Sequence, residues 1–136
     1  MPYPVFVMSV DCLDIKRLGK ERVEAKQIYD ILTGKSNGSA WKNHPAVLMW
    51  KGYEEALSLY YNICLEFWAK RGYKNIKLKP IEISNFDAIK MPPWMGNNRF
   101  HRSHKSNLLR KNPDHYKQFK VPNNLPYVWP TKDGLM

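Results

Sequence analysis

Apolar side chains at Ile15, Leu18, Ala25, Ile28 and Leu32 recur at spacings of three, seven, three and four residues, which commits this stretch to a helix with one buried stripe. Asp11 or Asp14 stands where an N-terminal cap is needed, and Gly34 follows as the stop. The predicted helix therefore runs from about 14 to 32. Its polar face carries Arg17, Lys20, Glu24 and Gln27. A Ser/Gly/Asn loop over 35–43 precedes Pro45, which fits the first turn of a second helix reaching about Arg71, with Gly52 as a candidate break and Gly72 as the end. Leu57, Tyr60, Ile63, Cys64, Phe67 and Trp68 form its stripe.

From Tyr73 to Asn98 the helical period is lost, and the turn-rich run Pro92 to Asn98 leads into a third helix over about Arg99 to Lys111. Asn112 and Pro113 stop it. Residues 4–10 (PVFVMSV) read as a short, buried extended segment, because β-branched and apolar residues run together and Pro4 is excluded from a helix interior. The tail alternates prolines with Tyr116, Phe119, Tyr127 and Trp129 and is expected to lie extended across the helices. These readings predict an all-α, compact three-helix protein, one domain over residues 1–136, a length that buries a core without disulfides or a structural metal.

Lys and Arg outnumber Asp and Glu by 22 to 12, a formal charge of +10, which favours polyanionic partners and, with local clustering, phosphates. Residues 99–120 hold Arg99, Arg102, Lys105, Arg110, Lys111, Lys117 and Lys120 against the single acid Asp114. A second basic run comprises Lys70, Arg71, Lys74, Lys77 and Lys79. Cys12 and Cys64 are far apart and have no ligand spacing around them, so they are expected to be buried thiols. The first ten residues lack the features of a secretory signal and no apolar run approaches a membrane span. A protein that stays in the cytoplasm is expected. No GxSxG, Walker A, GxGxxG or HExxH pattern occurs, which leaves hydrolase, kinase and dehydrogenase readings of those types without support.

Glu24 is the side chain with the clearest chemical interest, since a carboxylate on a phosphate-seeking face weakens DNA binding unless it has a task such as stabilising a cationic sugar or iminium. The competing reading is a Lys20–Glu24 helix pair worth about 0.3–0.5 kcal/mol. Glu21 falls near the apolar stripe and reads as structural, requiring a cation such as Arg17. His101 and His104 are spaced i,i+3 without further ligands nearby, so packing or phosphate contact is favoured over zinc. His44 is expected to cap the second helix, with a DNA contact as the alternative.

Leu18-Gly-Lys-Glu-Arg-Val-Glu24, Asn43-His44-Pro45, Lys70-Arg71-Gly72-Tyr73 and the block Phe100 to Tyr116 together resemble the pyrimidine-dimer DNA glycosylase family, the phage endonuclease V type and its bacterial relatives. The resemblance implies a three-helix fold and a free N-terminal α-amine that attacks C1′ of the damaged nucleotide, assisted by a glutamate that falls on Glu24. The arginine usual just before that glutamate is Val23 here, with Arg22 one position further back. Removal of Met1 would expose the secondary amine of Pro2 as the nucleophile, giving glycosidic cleavage through a Schiff base and then β-elimination. DNA contacts are expected from Arg17, Lys20, Arg22, Gln27, His44, Arg99, Arg102 and Lys105, on damaged double-stranded DNA, by a monomer that needs no metal or cofactor. The alternatives are a non-catalytic nucleic-acid-binding or phage accessory protein on the same scaffold, and a binder of small phosphorylated ligands.

Overall fold

The computed structural model describes residues 1–36, 41–131 and 134–135. Five helices carry it: α1 (Phe6–Asp11), α2 (Ile15–Leu32), α3 (Pro45–Leu48), α4 (Glu54–Lys70) and α5 (Asn98–Lys111). The three main helices, α2, α4 and α5, lie within the three spans that the sequence predicts, the first two from their apolar period and the third from its flanking turn and stop. Among the described residues the only strands are two-residue pieces, β1 (Pro130–Thr131) and β2 (Gly134–Leu135), paired antiparallel at the end of the chain. The all-α class holds. No helix among the described residues is long and apolar enough to cross a membrane.

Residues 4–10 are not extended. Phe6 to Asp11 form α1, and Pro4 stays outside it, ahead of the N-cap Val5. The Ser9 hydroxyl donates to the Tyr3 carbonyl (2.9 Å) and accepts from the Tyr3 N–H (3.0 Å), closing the turn that starts the helix. The continuous apolar run misleads because only one face is buried. Phe6 and Val10, four apart, are in the core, while Val5, Val7 and Met8 remain about half exposed. The second predicted helix is divided, as Gly52 suggests: its φ of +88° is left-handed and separates α3 from α4.

Caps follow the sequence closely. Asp14 rather than Asp11 accepts from the first turn of α2, His44 Nδ1 accepts from the Ala46 N–H at 3.0 Å, and Asn97 caps α5. Gly34 and Gly72 take positive φ just beyond α2 and α4. Helix α2 packs on α4 through Leu18, Ala25 and Ile28 against Leu57, Tyr60, Tyr61 and Cys64. Phe6, Trp50, Tyr60, Trp94 and Phe100 link α1, the α3–α4 turn and α5 in one aromatic core.

The irregular segment after Gly72 is held by α4, where Tyr61 donates to the Lys79 carbonyl and the Asn62 amide exchanges two bonds with Ile81, each at 2.8 Å. The tail is pinned differently. Buried Ser103 and Ser106 on α5 accept the backbone N–H groups of Val128 (3.1 Å) and Leu125 (3.0 Å). Tyr116 anchors its start, fully buried, with its hydroxyl bonded to the Asp14 carboxylate and accepting from the Asp14 N–H. These bonds bring Tyr127 and Trp129 back over the N-terminus.

Candidate active site

A cavity of about 470 Å³ opens where the N-terminus, α2, α3, α5 and the tail converge. The first residue is fixed by two histidines. His104 Nδ1 lies 2.9 Å from the Met1 amine, and His101 Nδ1 lies 2.8 Å from the Met1 carbonyl. His101 Nε2 accepts from the Gly96 N–H at 2.9 Å, so its proton sits on Nδ1 and is donated to that carbonyl. Both imidazoles face the chain terminus from α5, one turn apart, which is the meaning of their i,i+3 spacing.

Burial pushes the Met1 amine down from its usual 8.0 to about 5; the Glu21 carboxylate opposes that shift and the Arg17 cation adds to it. His104 is held well below the ordinary histidine range by burial, and then by the neighbouring amine. His101 is lowered by burial too, against the opposing effect of its bond to the Met1 carbonyl. The pair at neutral pH is therefore a neutral amine beside a neutral imidazole. His104 Nε2, the ring nitrogen that does not meet the amine, is a buried atom with no hydrogen-bond partner among the described residues.

Two carboxylates from α2 share one guanidinium. Arg17 donates to Glu21 Oε2 through Nε (2.9 Å) and Nη2 (2.5 Å), and also to Glu24 Oε2. The Tyr60 hydroxyl donates to the other Glu21 oxygen at 2.6 Å. Burial alone would raise the Glu21 carboxyl, but Arg17, the Tyr60 hydroxyl and the amine outweigh it and hold it below the usual carboxylate range. Glu21 thus has the cation its position demanded. It also does more than expected, because its charge acts directly on the amine.

Pro2, Arg17, Glu24 and His44, all predicted as site residues, line this one cavity. Lys20, Arg22, Gln27, Arg99, Arg102 and Lys105 do not. Arg22 lies over the Trp68 ring at 4.3 Å and donates to the Asn75 side chain at 3.1 Å, an interhelical packing role. Lys105 sits over Tyr3 at 4.4 Å, while Lys20, Gln27, Arg99 and Arg102 are exposed. The cavity residues that sequence reasoning left unassigned are Glu21, Tyr60, His104, Lys111 and the rings of Trp41, Tyr127 and Trp129. The histidine spacing and the place of Glu21 beside the apolar stripe are the signals that single out His104 and Glu21. Among the described residues no group of three His, Cys, Asp or Glu side chains is arranged to hold a metal ion.

An all-helical basic protein whose cavity joins a depressed α-amine to paired glutamates is equipped for amine chemistry at an electrophilic carbon. Residues 1–80 match the family described as pyrimidine dimer DNA glycosylase, more than half of the 136-residue chain, and the chain belongs to that family. No curated protein and no solved structure gives a match. The family brings a general role in DNA repair, as a pyrimidine dimer glycosylase, with DNA as the substrate. Met1, Pro2, Arg17, Glu21, Glu24 and His44 fall within the matched part, whereas His104, Lys111, Tyr127 and Trp129 lie beyond it.

Proposed function

We propose that this protein, acting as a monomeric single domain, removes the base from damaged pyrimidine nucleotides in double-stranded DNA and then cleaves the abasic site. The observation that carries this reading is the depressed N-terminal amine, sharing a cavity with Glu24, Glu21 and the neutral His104 imidazole. The amine lone pair attacks C1′, and the bond from C1′ to the base breaks with its electrons leaving on the base. His104 Nδ1 stands ready to accept the proton the amine must lose, and the sugar ring opens to an iminium. Loss of a proton from C2′ then expels the 3′ phosphate, and water hydrolyses the iminium. Glu24 faces the positive charge that develops at the sugar. If Met1 is removed, Pro2, which lines the same cavity, offers a secondary amine that gives an iminium directly.

The assay is base release and strand scission on a duplex containing one cyclobutane pyrimidine dimer. Both products are expected, with scission after release; a protein that binds the duplex and yields neither favours the non-catalytic binding reading. The pH profile supplies a second check. An amine is nucleophilic when unprotonated, so a value of about 5 keeps it active across the neutral range. The acid limb of kcat/KM should accordingly fall near pH 5 and not near 8. Folding stability linked to the same group follows that sign: the folded state resists the proton, so stability is lost as pH falls from about 8 toward 5.

The exposed basic face of α5 is proposed to hold the DNA backbone. Replacing Arg99, Arg102 and Lys105 together with Ala should reduce the slope of log K against log salt by about 2 to 3. Arg99 and Arg102 are exposed while Lys105 is partly engaged with Tyr3, which places the expected value near the lower end. Salt-insensitive binding would show that this face has been misassigned.

A further inference from the structure

The Met1 carbonyl is held by a bridge that the proposed chemistry does not use. His101 is 4% exposed and joins two backbone groups from distant parts of the chain. Its Nδ1–H donates to the Met1 carbonyl at 2.8 Å, and its Nε2 accepts from the Gly96 N–H at 2.9 Å. The Gly96 end is well anchored. Gly96 takes a φ of +93°, a conformation that favours glycine, in a turn where the Met95 N–H donates to the Pro92 carbonyl and the Asn97 N–H to the Trp94 carbonyl. Trp94 ties that turn to the end of α3 by donating from Nε1 to the Met49 carbonyl at 2.8 Å, and Asn97 caps α5 at the Phe100 N–H. A chain terminus ordinarily frays; this one is fastened through a single imidazole to the turn between α3 and α5.

We propose that His101 is a positioning residue for the nucleophile, fixing the Met1 carbonyl so that the amine meets the sugar and His104 in one orientation. The inference rests on the glycosylase reading and deepens it. His101 does not line the cavity, so its effect passes through Met1. An anchor on the nitrogen alone cannot serve throughout the reaction. The amine must lose a proton and bond to C1′, so its own hydrogen bonds change as it reacts. The carbonyl is the only other strong hydrogen-bonding atom of Met1, and it stays the same from free amine to iminium. With the carbonyl fixed, rotation about the Cα–C bond of Met1 aims the nitrogen, and the 2.9 Å approach to His104 Nδ1 selects that rotation. Aim matters to the rate, because a displacement of about 1 Å at the reacting atoms can slow a reaction by about 10²-fold. His101 and Gly96 lie beyond the family match, so the hold on the nucleophile comes from the second half of the chain.

The test replaces His101 by each of two amides, in protein made with methionine excision inhibited and shown by intact mass to carry Met1. His101→Asn sets a donor near the place of Nδ1 and keeps the bond to the Met1 carbonyl. His101→Gln reaches instead to the place of Nε2 and keeps the bond to Gly96. Single-turnover scission of an abasic duplex is compared with equilibrium binding to the same duplex carrying a stable abasic analogue, each corrected for the folded fraction. His101→Asn should react within about five-fold of wild type and His101→Gln about 10²-fold slower, while both bind within about two-fold of wild type. A role confined to pinning the Gly96 turn predicts the opposite order, and that order, or equal rates in the two variants, overturns the proposal. Labelling of the N-terminal amine by formaldehyde and cyanoborohydride, followed against pH, gives a readout without DNA. The amine is faced by Arg17 and Glu21 from α2, by Cys12 after α1 and by His101 and His104 from α5, and in this buried place it stays unprotonated down to about pH 5. Wild type and His101→Asn should keep that midpoint, whereas in His101→Gln the released amine should move toward its usual 8.0. A midpoint that His101→Gln leaves unchanged also overturns the proposal. Wild type that cleaves no abasic DNA removes the glycosylase reading, and the labelling midpoints then decide by themselves whether His101 holds the amine.

Discussion

Glu24→Gln is expected to bind a dimer-containing duplex at least as tightly as wild type while losing base excision by about 10²-fold or more. The substitution keeps the side chain's shape and removes the negative charge that the proposed mechanism sets opposite the reacting sugar. Loss of one repulsion with phosphate accounts for the retained or improved binding. Glu24 is well placed for this because 40% of its side chain is accessible at the cavity while Arg17 holds the carboxylate in place. As an ordinary surface acid, Glu24 would instead change stability by a few tenths of a kcal/mol and leave excision intact. Glu21→Gln belongs in the same experiment, since Glu21 is the carboxylate whose charge acts on the amine. If only Glu21→Gln abolishes excision while remaining folded, the charge-stabilising role passes to Glu21.

Arg17→Ala should destabilise the fold by about 2–4 kcal/mol, measured by urea unfolding. Its guanidinium is the shared partner of Glu21 and Glu24, and removing it strands the Glu21 carboxylate between Tyr60 and the amine. The figure stays below that of a fully enclosed ion pair because 23% of the Glu21 side chain still reaches the cavity. The pH dependence identifies the cause. In wild type Arg17 holds the Glu21 carboxyl low, so the stabilisation is present above the usual carboxylate range and lost as pH falls through the lowered value. In Arg17→Ala the unpaired carboxylate gains by protonation, so the deficit should shrink below the ordinary carboxylate range. A deficit independent of pH would point to lost packing instead.

Much of this arrangement was legible because it rests on local rules. The 3.6-residue periods, the caps at Asp14 and His44, the break at Gly52 and the stops at Gly34 and Gly72 all depend on residues close in sequence. The α1 segment was misread because Val5, Val7 and Met8 are apolar yet half exposed, and a run of apolar residues does not reveal which of them are buried. Pro2, Arg17, Glu24 and His44 line one cavity: Arg17 and Glu24 share a helical face that the sequence displays, while Pro2 is suggested only by the family resemblance. His104, Tyr127 and Trp129 join the site only through contacts that span more than a hundred residues or depend on where α5 pins the tail. No spacing rule reaches that far. Arg22 is expected at the DNA because it stands one position back from the family's usual arginine, whereas the structure lays it on Trp68, whose ring also approaches Gly19 closely.

The central claim is that the N-terminal amine forms a covalent link to the sugar, and the most direct measurement is borohydride reduction of the protein mixed with abasic-site DNA, followed by mass mapping of the adduct. One adduct is predicted, on the N-terminal peptide, at Met1 or at Pro2 according to whether Met1 is present, and none with protein whose amine has been acetylated. An adduct mapped to an internal lysine, or no adduct from protein that binds the same DNA, would contradict it.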